Sequence, residues 1–162
     1  RFLTRQDPLG MRVYRNSLVF LLAKAAATAL PECRLTVEHS FGTGFFCSFE
    51  GQCGKPITAA QTRILEQAMR RAIRRALPIR RYRLAFEEAV ALFEKSAQKD
   101  KADLLRFRNP PMVVVHACGR FIDLAHSPLA PSTSSDRFVH GSGQMESGGR
   151  RPRPRRNSTL AV

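Results

Sequence analysis

A chain of 162 residues, 43% hydrophobic and 25% charged, has room for one domain with a tail, and its composition excludes disorder throughout. With 27 Lys and Arg against 13 Asp and Glu the net charge is +14, which favours polyanionic partners such as RNA or an acidic membrane surface and is silent on fold. The surplus has two sources: residues 137–162 hold six arginines against Glu146, or +5, and residues 1–136 hold the other +9.

Arg1 to Gly10 read as a loop, the end of a preceding linker or domain, closed by Asp7-Pro8 and Gly10, and the missing initiator Met fits a fragment. From Met11 to Ala29, basic residues precede an apolar run and then small residues, an order that imitates a secretory signal peptide. Lys24 interrupts that run, however, and the chain lacks the ~20 uninterrupted apolar residues of a membrane span, so no membrane contact is expected. The segment reads instead as a helix capped by Asn16 or Ser17 and stopped by Pro31. Leu18, Val19, Leu21, Leu22, Ala25, Ala26 and Ala29 leave Lys24 and Thr28 as its only polar stripe, which marks a central, buried helix.

Arg34 to Ser40 alternates, with Leu35, Val37 and His39 on one face; Gly44 to Glu50 sets Phe45, Cys47 and Phe49 opposite Phe46 and Ser48. Phe41-Gly42-Thr43-Gly44 supplies the turn of an antiparallel hairpin. Thr58-Ala59-Ala60-Gln61 is a capping box that opens a helix to about Ala76, with Leu65, Met69, Ala72, Ile73 and Ala76 on one face and Arg63, Arg70, Arg71, Arg74 and Arg75 spread over the other. Pro78 ends it, and Ile79 to Leu84 alternates as a strand carrying Arg80, Arg81 and Arg83. Phe86 to Ala97 is amphipathic again, with Glu87 and Glu88 at the end of the helix that favours carboxylates. Asp100 to Phe107 reads as a shorter helix; Asn109-Pro110-Pro111 breaks the chain; Met112 to Ala117 pairs through Cys118-Gly119 with Arg120 to Leu124. The expected architecture is α+β, an antiparallel or mixed sheet of four or five strands packed with helices over residues 11–138. The Arg/Gly/Ser/Pro-rich residues 139–162 bury too little apolar area to order themselves.

The chemistry-bearing residues are sparse. Cys33, Cys47, Cys53, Cys118 and His39, His116, His126, His140 make no Cys-x-x-Cys or His-x-x-x-His pair, so metal-site spacing is missing and no metal or cofactor is expected in this chain. Cys47 and Cys53 would suit a small disulfide loop, but free buried thiols and a reducing, cytoplasmic compartment are the default. There is no Gly-x-x-x-x-Gly-Lys-Ser/Thr and no Gly-x-Gly-x-x-Gly; Gly42 and Gly44 are turn residues. His116 and Cys118 are read at opposite parity or in the turn, a pair only through tertiary contact, and His39 as a hydrogen-bonded core histidine. Asp123 is expected to follow a strand and hold the next loop. The strongest signal for a partner is arginine: Arg63, Arg70, Arg71, Arg74, Arg75, Arg80, Arg81 and Arg83 against Glu66 alone, a stripe that would neutralise phosphates of tRNA or another RNA. The bland alternative is a solvated face whose Arg stems cover apolar surface. The tail's RRPRPRR is a denser charge run of low complexity.

Three stretches, MRVYRNSLVFLLAKAAATALPECRLTVEHSFGTGFFCSFE, ITAAQTRILEQAMRRAIRRALPI, and FEEAVALFEKSAQKDKADLLRF followed by CGRFIDLAHSPLAPST, together resemble the second N-terminal domain shared by threonyl- and alanyl-tRNA synthetases. The closer resemblance is to its copy fused ahead of the kinase domain in bacterial uridine kinase-like nucleoside kinases. In the synthetases this α+β module hydrolyses mischarged tRNA with a His-x-x-x-His on the first helix and a Cys-x-x-x-His before a Pro-Ser-Thr turn. Position by position, the helix pair falls on Asn16 and Phe20, and the later pair on Ala125 and Leu129. Phe and Leu neither accept a proton nor bind a metal, so that constellation cannot work here. What still matches is scaffold: His39, Ser40, Phe45, Phe46, Cys47, Asp123, Pro128, Pro131, Ser132 and Thr133.

The resemblance implies a non-catalytic accessory domain whose parent phosphorylates uridine or a related nucleoside, with ATP and Mg²⁺ bound by a kinase domain in the same polypeptide. The expected Gly-Lys-Ser/Thr of that domain does not follow Thr133; the Arg/Gly/Ser tail stands there instead, as a truncated or frame-shifted reading would leave it. Two other functions stay open: an RNA-binding module, and a trans-editing hydrolase rebuilt from His39, Cys118, Asp123 or His126.

Overall fold

A computed structural model describes residues 6–41, 44–50, 57–125, 127–134 and 158–161, the side chains of Phe41, Glu50 and 158–161 excepted. The first helix, α1 (Pro8–Ala29), starts eight residues before the expected cap. Asp7 takes the N-cap position in extended backbone and Pro8 stands in the first turn, where its fixed φ suits a helix and its missing N–H costs nothing. Asn16 and Ser17 are therefore interior, and residues 8–10 are helix, not loop.

Leu21, Leu22, Ala25 and Ala26 of α1 bury against Leu65 and Met69 of α2 (Ala59–Arg74) and Cys47 and Phe49 of the hairpin β1 (Arg34–Phe41) and β2 (Gly44–Glu50). Each such large aliphatic side chain contributes about 1.5–3 kcal/mol when removed from water. The capping box of α2 forms as read: Thr58 Oγ1 accepts from Gln61 N at 3.2 Å, and Gln61 Oε1 accepts from Thr58 N at 2.8 Å.

The strands are antiparallel, as expected, but they divide between two sheets where one was anticipated. One has the order β1-β2-β6 and the other β3-β4-β5, the latter from β3 (Arg80–Ala85), β4 (Met112–Cys118) and β5 (Phe121–Leu124). The division follows from α1, which packs the hairpin on one side while its Phe20 joins Cys118 of the second sheet and Ile79 just before it. The far face of that second sheet is covered by α3 (Phe86–Lys95) and α4 (Lys99–Arg108), whose Ala89, Val90, Phe93, Ala102 and Leu105 enclose Val113 and Val115. Glu88 starts α3 by accepting from Ala85 N at 3.0 Å; Asn109 ends α4 with φ 43°, a left-handed cap that asparagine tolerates.

Of the tail read as unable to order itself, only Ser158–Ala161 is described, as β6, with Leu160 opposite Cys47 and Ser158 opposite Phe49. There the free edge of β2 supplies the backbone partners. The remaining tail and Cys53 lie outside the described residues. No helix among the described residues is long and apolar enough to cross a membrane.

Candidate functional site

Two of the four positions onto which the editing side chains carry over, Phe20 and Leu129, meet in one apolar cluster between α1 and the second sheet. Phe20, 4% exposed, lies one helical turn after Asn16. Its ring meets Phe121 edge-on at 5.3 Å between centroids and His116 at 6.5 Å. Leu129, Leu77 and Phe121 pack around the same cluster of Phe20, Ile79 and Cys118. An apolar plug thus fills the place from which Phe20 and Leu129 would have to act. Asn16 and Ala125 are half-buried.

His116 and Cys118 are not of opposite parity. They lie two residues apart on β4 and therefore on one face, the face turned toward α1, and they are 3% and 0% exposed. Register places His116 between Arg81 on β3 and Asp123 on β5. Burial, and then the Arg81 charge, push the imidazole below its ordinary pKa, while Asp123 pulls the other way. His116 Nδ1 is buried and has no hydrogen-bond partner among the described residues. Asp123 is within β5, where its carboxylate accepts from Leu124 N at 2.7 Å and pairs with Lys101 of α4; it does not follow the strand. Burial holds the Cys118 thiol up, opposed by Lys24, so no thiolate nucleophile forms here near neutral pH.

His39 differs from the expected core histidine. A bulge between Val37 and His39 makes Glu38 an extra residue, so Val37 pairs with Cys47 while His39 pairs with Phe46. The alternation breaks there, and His39 is exposed with its ring stacked on Phe46 at 4.8 Å and 14°. Ser40 pairs with Phe45 beside the turn. Arg15 of α1 holds that end of the hairpin: its guanidinium lies 4.6 Å from the Phe45 ring centroid and donates to Gly44 O at 2.9 Å. Cys47 is a free, buried thiol that burial, aided by Glu38, pushes up to about 11. His126 lies outside the described residues.

The Pro131-Ser132-Thr133 turn is a clasp. Thr133 Oγ1, in a residue 1% exposed, donates to Ala72 O at 2.7 Å and accepts from Leu77 N at 2.8 Å. Thr133 N donates to Leu77 O and Ile79 N to Pro131 O, both at 2.9 Å, and Ser132 bridges to Pro78. Pro128 is exposed, but Ala130 N just beyond it donates to Ser17 Oγ at 2.8 Å, while Ser17 donates to Val13 O. Ser17 and Thr133 hold the plug shut from both sides. Ser17 carries a signal in the sequence, a hydroxyl inside an apolar helical run, which the capping assignment had absorbed.

The eight arginines read as a nucleic-acid surface are all exposed. Five belong to α2 and its C-cap and three to β3, the outer strand of its sheet. Arg70 is held by Glu66 at 2.7 Å. Among the described residues no group of three or more His, Cys, Asp or Glu is placed to hold a metal ion.

No family model matches the chain. It is 33% identical over 132 residues to threonine–tRNA ligase of Acidithiobacillus ferrooxidans, covering 80% of this chain. It is 32% identical over 134 residues to that of Desulforamulus reducens, and 28% over 125 residues to that of Nitratidesulfovibrio vulgaris. The match covers only about 20% of those ligases. Over four-fifths of its length, then, this chain is a threonine–tRNA ligase-like region, corresponding to about a fifth of such a protein.

Proposed function

We propose that the chain is a threonine–tRNA ligase-like domain that has lost hydrolysis and serves as a non-catalytic accessory domain of a cytoplasmic nucleoside kinase. The observation that carries the loss of hydrolysis is the apolar cluster at the carried-over positions: Phe20 and Leu129 pack with Ile79, Cys118 and Phe121. A general acid, a base or a metal ligand is needed to activate water against an ester, and neither side chain supplies one. His116 and Cys118, which lie beside Phe20, are sealed from solvent. The kinase parentage rests on the resemblance alone. ATP and Mg²⁺ would belong to the partner domain of the same polypeptide, since this chain has no Gly-Lys-Ser/Thr loop to cradle phosphates.

Deacylation of mischarged tRNA by this chain, with and without Zn²⁺, is expected to match the buffer blank; hydrolysis proportional to protein concentration would overturn the reading and favour a trans-editing enzyme. A chain carrying Asn16→His, Phe20→His, Ala125→Cys and Leu129→His is expected to acquire a Co²⁺ charge-transfer band that the parent chain lacks. The kinase part is tested on the polypeptide encoded by the gene extended downstream: ATP-dependent phosphorylation of uridine supports it, and inactivity on every nucleoside refutes it.

A further inference from the structure

His116 is 3% exposed where α1 meets the β3-β4-β5 sheet, and its Nδ1 has no hydrogen-bond partner among the described residues. The Phe20 ring meets it edge-on at 6.5 Å, and Phe20 also packs on Cys118, two residues along the same face of β4. A neutral imidazole stays in such a place at modest cost. An imidazolium needs water or a carboxylate there, because burying an unpaired charge costs far more than burying a polar group.

The surroundings offer a proton little compensation. From β3, register sets Arg81, a like charge, beside His116. From β5 it sets Asp123 there, but that carboxylate already accepts from Leu124 N at 2.7 Å and pairs with Lys101 of α4. On β4 itself the neighbouring titratable group is the Cys118 thiol, which burial keeps protonated against the pull of Lys24. The covering helix α1 carries Arg12, Arg15 and Lys24 and no Asp or Glu. A proton on His116 therefore adds a positive charge between Arg81 and a helix whose ionised side chains are all cationic.

The same helix has a second attachment that this charge does not touch. Its Leu21, Leu22, Ala25 and Ala26 bury against α2 and the hairpin, in a cluster that includes Cys47 and no histidine.

We propose that His116 is an acid-operated latch: its protonation releases the Phe20 side of α1 from the β3-β4-β5 sheet, while α1 stays packed on α2 and the hairpin. With the interface open, the imidazole regains water and its ordinary affinity for a proton; with it closed, the imidazole binds one less readily. The open form is therefore favoured as pH falls below about 6.5, by at most about thirtyfold at pH 5, the factor by which an ordinary histidine is protonated there. The latch stands on the burial and charge around His116 and not on the loss of hydrolysis or the kinase parentage, so it fails separately from them.

Cys118 and Cys47 report the two attachments one by one. The full chain is alkylated with N-ethylmaleimide between pH 7.5 and pH 5, and each cysteine is followed by peptide mass spectrometry. Each rate is divided by that of the same cysteine in the denatured chain at the same pH, which removes the pH dependence of the thiol itself. The relative rate of Cys118 is expected to rise roughly threefold to thirtyfold as the pH is lowered, while that of Cys47 stays level. His116→Phe is expected to abolish the rise, and so is His116→Gln, which keeps a neutral polar group should the ring exchange disturb the packing. The proposal is overturned if Cys118 is equally protected at pH 5, if Cys47 loses protection in step with it, as unfolding of the whole domain would give, or if the rise survives in either folded variant.

Discussion

The α1-facing side of the β3-β4-β5 sheet and its outer edge at β3 have been treated in opposite ways. Toward α1, Phe20, His116, Cys118 and Phe121 close into a dry interface, where even a polar imidazole is kept from water. Along the outer strand and the C-terminal end of α2, arginines stand in solvent, and among the described residues Arg71, Arg74, Arg75, Arg80, Arg81 and Arg83 meet no carboxylate. A site for chemistry needs polar groups that a substrate can reach, and the dry side buries its polar groups. The wet side has reachable charge but no nucleophile or base among it. The contrast separates what this domain can bind from what it can catalyse.

The contrast is sharpest in stability. Phe20→Ala removes a ring in contact with Phe121 and His116, and a loss of about 3–5 kcal/mol is expected by denaturant titration; a loss below about 1 kcal/mol would mean that the interface is loose and the pocket open. Thr133→Val keeps the shape but strips Leu77 N of its acceptor and Ala72 O of its donor. It is expected to cost about 1–3 kcal/mol, and a neutral result would remove the clasp from the account of how Ala72 is tied to Leu77.

The pH dependence comes next. Because the folded state lowers the pKa of His116, the unfolded chain takes up its proton first as pH falls. The contribution of the neutral imidazole is therefore complete above the ordinary histidine value of 6.5 and is lost as pH falls below it toward the folded value. Melting curves between pH 8 and 5 are expected to show this decline, and His116→Phe to flatten it; an unchanged decline in that variant would assign the effect to other groups. The smallest effect belongs to the wet side: Arg74→Ala or Arg80→Ala is expected to shift stability by no more than about 0.5 kcal/mol, and a larger loss would make these arginines structural.

Much of the fold was legible locally. Alternation marked the strands, Thr58 and Gln61 marked the start of α2, and the apolar circumference of α1 marked it as central. The errors have local causes as well. Asp7-Pro8 reads as closing a loop but opens a helix, because Asp-Pro suits either role until the following residues are known to pack. His39 was placed by parity counted straight through Glu38, and a single bulge reverses such a count. His116 and Cys118 were set apart by the boundary assumed between strand and turn.

What the sequence by itself determined is the type of each element from α1 to β5 and the gathering of arginine on α2 and β3, since periodicity and caps act over a few residues. The tertiary structure alone decided that the strands form two sheets around α1, that Ser17 meets Ala130 across 113 residues and Thr133 meets Ala72 across 61, and that Phe20 and Leu129 share one apolar cluster. Each of these joins positions far apart in the chain. Their shared burial depends on how whole elements dock, and no local pattern encodes that.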